Sequence, residues 1–244
     1  LKLLFRIPRP WVLDSNFTIV ESARAQATGY SFPSGHSQNA IGTFGGIARF
    51  TRRKWVRVAA IVVAVLVPLS RMYLGVHTPL DVGVAAVIAV ALVFALYPLM
   101  ERSDSRHGVM GAVLAVMLAL AVGYLLFVSL YPFPADVDAA NLASGVENAW
   151  KLLGATVGML VGWWLDVRFI HFDTRAVWYV QLIKLVGGLA LLLGIRAALK
   201  APLAAALGAG AGGAVRYGVM VLFAAAVWPM VFAPLCHALE KRVY

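Results

Sequence analysis

Charge is scarce in this chain of 244 residues: Asp, Glu, Lys and Arg make up 13% of it, against about 25% in a soluble domain. A water-facing surface cannot be built from so few charges. Hydrophobic residues at 61% and a mean hydropathy of +0.83 leave the bilayer as the solvent. Cysteine is nearly absent as well. The single Cys236 lies in a C-terminal apolar run with nothing to pair with, which excludes a disulfide framework and a thiolate metal site. Acidic residues number 11 against 21 Lys and Arg, for a net charge of +10. No basic run is long enough to act as an arm for a polyanion, so a nucleic-acid partner is excluded. The positive charge has to be explained by membrane topology and by a site.

What the chain does have is a succession of long apolar runs. A helix needs about 17 to 25 apolar residues to cross the hydrocarbon core. Runs of that order lie at Ser34 to Phe50, Trp55 to Ser70, Leu80 to Met100, Val109 to Tyr131, Gly145 to Leu165, Val177 to Ile195 and Ala214 to Leu239. The expected fold is therefore all-α, a polytopic transmembrane helix bundle of about seven spans. Ser144 and Glu147 have the spacing of a capping box and are expected to open the fifth span. Gly154, Gly158 and Gly162 recur every fourth residue, so one helix face is bare and can meet a neighbour closely. The stretch from Gly208 to Gly213 reads as a flexible turn, since no Lys-Ser/Thr follows it to make a phosphate cradle. Pro68, Pro229 and Pro234 read as kinks, while His107, His171 and His237 read as interface residues.

Alternating spans put Arg49, Arg52, Arg53, Lys54 and Arg57 on one side of the membrane and the acidic loop carrying Asp136 and Asp138 on the other. The positive-inside rule makes the first side cytoplasmic.

Three polar clusters fall at the opposite, extracytoplasmic face. Lys2 precedes Arg9-Pro10 by six intervening residues. Pro33-Ser34-Gly35-His36 enters the first span. Ser70-Arg71, then His77, then Asp81 join the second span to the third. Lys2, Arg9 and Arg71 bring three cations to a low-dielectric boundary, where only a polyanion would neutralise them. Arg forks match phosphate oxygens two at a time, and Lys adds a point charge. Ser34 can cap the first span, and Gly35 lets a ligand approach the backbone, so the helix N-terminus offers amides to phosphate. His36 and His77 suit proton and phosphoryl roles near neutral pH. Asp81, four residues beyond His77, can accept the imidazole N–H and fix the tautomer that attacks. Thr78-Pro79-Leu80-Asp81 also reads as an N-cap, a proline at the first helical position and an acid in the first turn. Arg6 and Arg24 read as headgroup or solvent contacts.

This trio of clusters, in this order, resembles the type 2 phosphatidic acid phosphatase superfamily, which also takes in bacterial non-specific acid phosphatases and vanadium haloperoxidases. The match covers about residues 2 to 81 and fills every specified position of the three motifs. The resemblance implies that His77 is the nucleophile that becomes phosphorylated, that Asp81 orients it, and that His36 protonates the leaving oxygen. It implies that Lys2, Arg9, Ser34, Gly35 and Arg71 hold the phosphoryl oxygens, with no metal and no cofactor. Residues 1–100 are then the catalytic core, with N-terminal helices expected ahead of Leu1, and residues 101–244 are additional transmembrane helices that the resemblance does not explain.

The expectation is an integral membrane phosphatase of a bacterial inner or plasma membrane. It would hydrolyse phosphomonoesters or pyrophosphates of a phosphorylated lipid or isoprenoid on the extracytoplasmic face, with the bilayer as its other partner and a homo-oligomer left open. The rival is a membrane anion carrier or channel that uses the cations without catalysis. A carrier would string charges along the depth of several helices, whereas here they gather at one face.

Overall fold

The computed structural model describes residues 1–103, 107–172 and 176–232. Pro234, Cys236, His237 and the end of the seventh expected span lie outside the described residues. Among those described, the chain is helical without a strand. Short helices α1 (Lys2–Phe5), α2 (Pro10–Leu13) and α3 (Glu21–Arg24) lead into α4 (Gly35–Phe50), α5 (Lys54–Tyr73), α6 (Pro79–Ser103), α7 (His107–Leu130), α8 (Ala139–Leu165) and α9 (Trp178–Leu222). Single π-helical turns, Asp166–Ile170 and Phe223–Val227, extend α8 and α9.

Five stretches among the described residues are long and apolar enough to cross a membrane: Lys54–Tyr73, Pro79–Ser103, Gly108–Leu130, Ala139–Ile170 and Trp178–Phe232. The chain is an integral membrane protein with an all-α fold. The count of about seven is not confirmed, for two physical reasons. Helix α4 has 16 residues, about 24 Å of helix against a hydrocarbon core of about 30 Å. The sixth and seventh expected spans run together as one stretch of 55 residues.

That stretch turns back on itself. Gly208 leaves helical geometry at φ 77° and ψ 171°, a conformation glycine adopts without a Cβ penalty. Trp228 Nε1 donates to the Lys184 carbonyl at 3.2 Å, although 44 residues of straight helix would hold them roughly 66 Å apart. The flexible turn expected over Gly208 to Gly213 is thus a break at Gly208 alone. Gly210, Gly212 and Gly213 are helical, and Gly212 lies against the Leu203 backbone on the other arm.

Residues 1–109 and 133–145 form one compact unit, and Met110–Pro132 with the chain from Val146 onward form a second. In the second unit the expected glycine face of α8 meets α9 backbone. A Cβ on Gly154 would lie 1.9 Å from the Ala214 carbonyl oxygen, and one on Gly158 would lie 2.4 Å from that of Gly218. In the first unit α4 packs on both α5 and α6, with Ala40, Ala60, Ala85 and Ala89 buried between them.

One helix start differs from expectation. Ser144 and Glu147 are interior to α8, which begins at Ala139. Asp138 Oδ1 accepts from the Asn141 amide at 2.7 Å, so the helix is capped further upstream, by an aspartate and not by the serine. Glu147 pairs instead with Lys151, one turn on, at 2.9 Å.

Candidate active site

The first unit brings together most of the polar residues singled out above, and the local sequence explains how. Thr78 caps α6: its Oγ1 accepts from the Asp81 amide at 3.2 Å, and Asp81 Oδ2 accepts from the Thr78 amide at 2.8 Å. This reciprocal cap holds the Asp81 carboxylate at the helix entrance, one turn beyond His77. Gly75, at φ 72°, turns the chain from α5 into this loop. A Cβ there would come within 2.5 Å of the Thr18 carbonyl, so only glycine lets the segment around Thr18 pass. Ser34 caps α4, with its Oγ accepting from the Ser37 amide at 3.4 Å, and its own amide donates to the Asp81 carbonyl at 3.1 Å. That last bond ties the second cluster to the third through backbone.

His77 and Asp81 are buried, at 3% and 1% exposure. His77 Nδ1 lies 3.4 Å from Asp81 Oδ2. On the other side of the ring, His77 Nε2 lies 3.0 Å from Arg9 Nη1. A guanidinium only donates, so Nε2 carries the lone pair and Nδ1 carries the hydrogen. The tautomer that Asp81 would select is the one that Arg9 also selects.

Arg9 is itself anchored. Its Nε donates to the Gly29 carbonyl at 3.0 Å, Nη1 to that of Val76 at 2.8 Å, and Nη2 to that of Thr28 at 2.8 Å. Lys2 Nζ donates to the Tyr30 carbonyl. Three successive carbonyls, from residues 28 to 30, thus hold the two cations, and one Nη2 hydrogen of Arg9 is left over. Arg71 differs, because its Nε is buried without a hydrogen-bond partner. A buried unpaired donor carries an unrelieved desolvation cost, and an anion would relieve it.

His36 stands apart from this buried set. It is exposed on the first turn of α4, within electrostatic reach of Arg71, Lys2 and Arg9. Gly35 beside it opens onto free space, since a Cβ there would meet nothing within 4 Å. Arg24 is paired with Glu21 at 3.0 Å and lies over the Trp11 ring.

The charges in this pocket act on one another. Burial, then the Arg9 charge, lowers the Lys2 ammonium to about 8, with Asp81 pulling the other way. Burial likewise lowers Arg9 to about 10 against the pull of Asp81. His77 is pushed below its ordinary value first by burial and further by Arg9 and Lys2, against the hydrogen bond it donates to Asp81. The imidazole is therefore neutral at neutral pH, with an available lone pair. Among the described residues no three His, Cys, Asp or Glu side chains gather closely enough to hold a metal ion.

Residues 1–105 match the family model of the PAP2 superfamily, and residues 150–241 match that of the transmembrane extension of PAP2 superfamily phosphatases. The chain belongs to the PAP2 superfamily. Among curated proteins, undecaprenyl-diphosphatase of Sulfolobus acidocaldarius is 47% identical over 55 residues, which is 22% of this chain and 26% of that protein. Phosphatidylglycerophosphatase B of Bacillus subtilis is 47% identical over 62 residues, 22% of this chain and 30% of that protein. The chain thus spans less than a third of the length of the curated relatives it matches. No solved structure matches.

One residue of this PAP2 pocket lies outside the three clusters. Ser31, fully buried, places its Oγ 2.6 Å from Asp81 Oδ2 and 3.3 Å from His77 Nδ1. The only signal for it in the sequence is its position three residues before Ser34, which is too little to single out a serine.

Proposed function

We propose that this protein is a membrane phosphatase that hydrolyses phosphomonoesters or pyrophosphates of a lipid or isoprenoid through a phosphohistidine at His77. The observation that carries the reading is the buried line from Arg9 Nη1 to His77 Nε2 at 3.0 Å and from His77 Nδ1 to Asp81 at 3.4 Å. It gives a neutral imidazole of fixed tautomer beside cations that suit a phosphoryl group. The names of the two relatives, a diphosphatase of undecaprenyl and a phosphatase of phosphatidylglycerophosphate, support a phosphorylated lipid as substrate.

In this reading an arriving phosphoryl group draws Arg9 Nη1 away from Nε2 and frees the lone pair. Nε2 attacks phosphorus, the bond from phosphorus to the leaving oxygen breaks, and His36, whose imidazolium is disfavoured by burial and by the Arg71, Lys2 and Arg9 charges until the phosphoryl anion offsets them, gives that oxygen its proton. Asp81 supports the positive charge that appears on the ring. Water then attacks phosphorus, the P–N bond breaks with its electron pair returning to Nε2, and His36 takes the proton from the water. Lys2, Arg71 Nε, the spare Arg9 hydrogen and the amides at Ser34 and Gly35 hold the phosphoryl oxygens throughout. The active site faces the extracytoplasmic side of a bacterial inner or plasma membrane.

Phosphate release in detergent tests this over phosphatidate, phosphatidylglycerol phosphate and an isoprenoid pyrophosphate. Wild type is expected to turn over at least one of them, with inhibition by vanadate as a transition-state mimic and none by EDTA. His77→Ala is expected to abolish turnover on every substrate. His36→Ala is expected to lose less as the leaving group improves, since a phenolate needs less protonation than an alkoxide. Activity lost in EDTA and restored by a divalent ion would overturn the mechanism. A His77→Ala variant that turns over substrate as fast as wild type would end the assignment of His77 as nucleophile, and a wild type that releases no phosphate from any of them would favour the anion carrier.

A further inference from the structure

The hydrogen count around His77 leaves one contact that the two-residue pairing of His77 and Asp81 does not explain. Because Arg9 donates to Nε2, the ring hydrogen sits on Nδ1. It has two acceptors in front of it, Asp81 Oδ2 at 3.4 Å and Ser31 Oγ at 3.3 Å. Both distances exceed the 2.7–3.2 Å of a strong N–H···O bond, so neither acceptor alone holds the ring. Ser31 has a single hydroxyl hydrogen, and it goes to Asp81 Oδ2 at 2.6 Å, within the range of a short bond to a charged oxygen. The serine lone pairs are then free to face Nδ1–H.

The hydroxyl is also fixed in place. Ser31 has no solvent exposure, its amide donates to the Ile7 carbonyl at 2.8 Å, and its neighbour Phe32 packs edge-on against Phe5 with ring centroids 5.1 Å apart. A serine used only to fill this space would bury a hydroxyl at a cost that alanine avoids.

We infer that Ser31 is a positioning residue that bridges His77 and Asp81: it accepts from Nδ1–H, donates to the carboxylate, and so completes the support of the ring. The inference rests on the reading of His77 as the nucleophile for its effect on turnover, and on the geometry alone for its effect on the hydrogen bond at Nδ1.

The test uses the purified full chain in detergent. Ser31→Ala is expected to lower kcat by about 10- to 100-fold, as when a partner that orients a reacting histidine is removed, with KM within about twofold and an unfolding temperature near wild type. Ser31→Cys, similar in size but a weak donor and acceptor, is expected to behave like the alanine variant. In an Asp81→Ala background, Ser31→Ala is expected to cost nothing further, because both act through one ring. Losses that multiply, or a loss confined to KM, would overturn the inference. Nitrogen-15 spectra of labelled histidine, assigned with His77→Ala, give a readout independent of turnover. Wild type is expected to show His77 protonated at Nδ1, and Ser31→Ala the same tautomer, which Arg9 still selects, with the Nδ1–H resonance moved to the position of a weaker hydrogen bond. A protein with no activity on any substrate but this spectral change would retain the bridge and lose the proposed reaction. An unchanged spectrum in Ser31→Ala would remove the bridge whatever the activity.

Discussion

Lys2 is the residue whose chemistry the pocket alters most usefully. Its ammonium is lowered to about 8 by burial and by Arg9, so it is charged at pH 7 and loses its proton just above. A phosphoryl group would lose one of its cationic partners over that interval. The ratio kcat/KM reports the free enzyme, and its basic limb is expected near pH 8. Lys2→Arg keeps a positive charge far above that pH, so the limb should move out of the range, even though the rate at pH 7 falls because a planar fork does not replace a point charge. A basic limb left near pH 8 in Lys2→Arg would assign it to another group. His77 needs no such titration in this range, since burial holds it below its ordinary value and its lone pair is present throughout.

Among the elements, the α8–α9 contact makes the most sharply testable statement. A Cβ on Gly154 would strike the Ala214 carbonyl at 1.9 Å, and backbone cannot swing aside as a side chain can. Gly154→Ala is expected to destabilise the protein by about 1–3 kcal/mol or more, the usual cost of overpacking. Gly194→Ala on α9, where nothing lies within 4 Å, is expected to be neutral or to stabilise by up to about 1 kcal/mol. Thermal unfolding of both variants in one detergent checks the contrast, and equal temperatures would mean that the helices do not pack this closely. The glycine face is legible in the sequence because a period of four on a helix has one geometric meaning. The all-α membrane character is legible for a similar reason, since hydropathy and length alone decide it. Helix ends are less so: Ser144 with Glu147 has the spacing of a cap, yet the packed chain puts the cap at Asp138. The reversal at Gly208 is spread by sequence over six residues. In the pocket, spacing makes Arg9, His77 and Asp81 visible. The carbonyls of residues 28 to 30 leave no trace in side-chain identity, and Ser31 finds its partners 46 and 50 residues away.

At the scale of the whole molecule, the direction of three helices fixes where the charge clusters lie. Ser34, Gly35 and His36 are at the N-terminal end of α4, Arg71 is at the C-terminal end of α5, and Asp81 is in the first turn of α6. Arg49 is in the last turn of α4, and Arg53 immediately precedes α5. The arginine cluster and the pocket are thus at opposite ends of the same helices, about 30 Å apart along the 20 residues of α5. That distance matches the hydrocarbon core. The segment around Phe17 belongs to the pocket end, because the Val20 amide donates to the Leu74 carbonyl at 3.2 Å, and Phe17 is itself exposed. With Cys236 first replaced by Ser, a cysteine at position 53 should react with a membrane-impermeant thiol reagent only after the bilayer is permeabilised, because Arg-rich connections stay in the cytoplasm. A cysteine at position 17 should react in intact cells. The reverse pattern would turn the pocket toward the cytoplasm and restrict its substrates to the inner leaflet. Labelling of both positions without permeabilisation would mean that α5 does not span, and the assignment of the two clusters to opposite faces would fall with it.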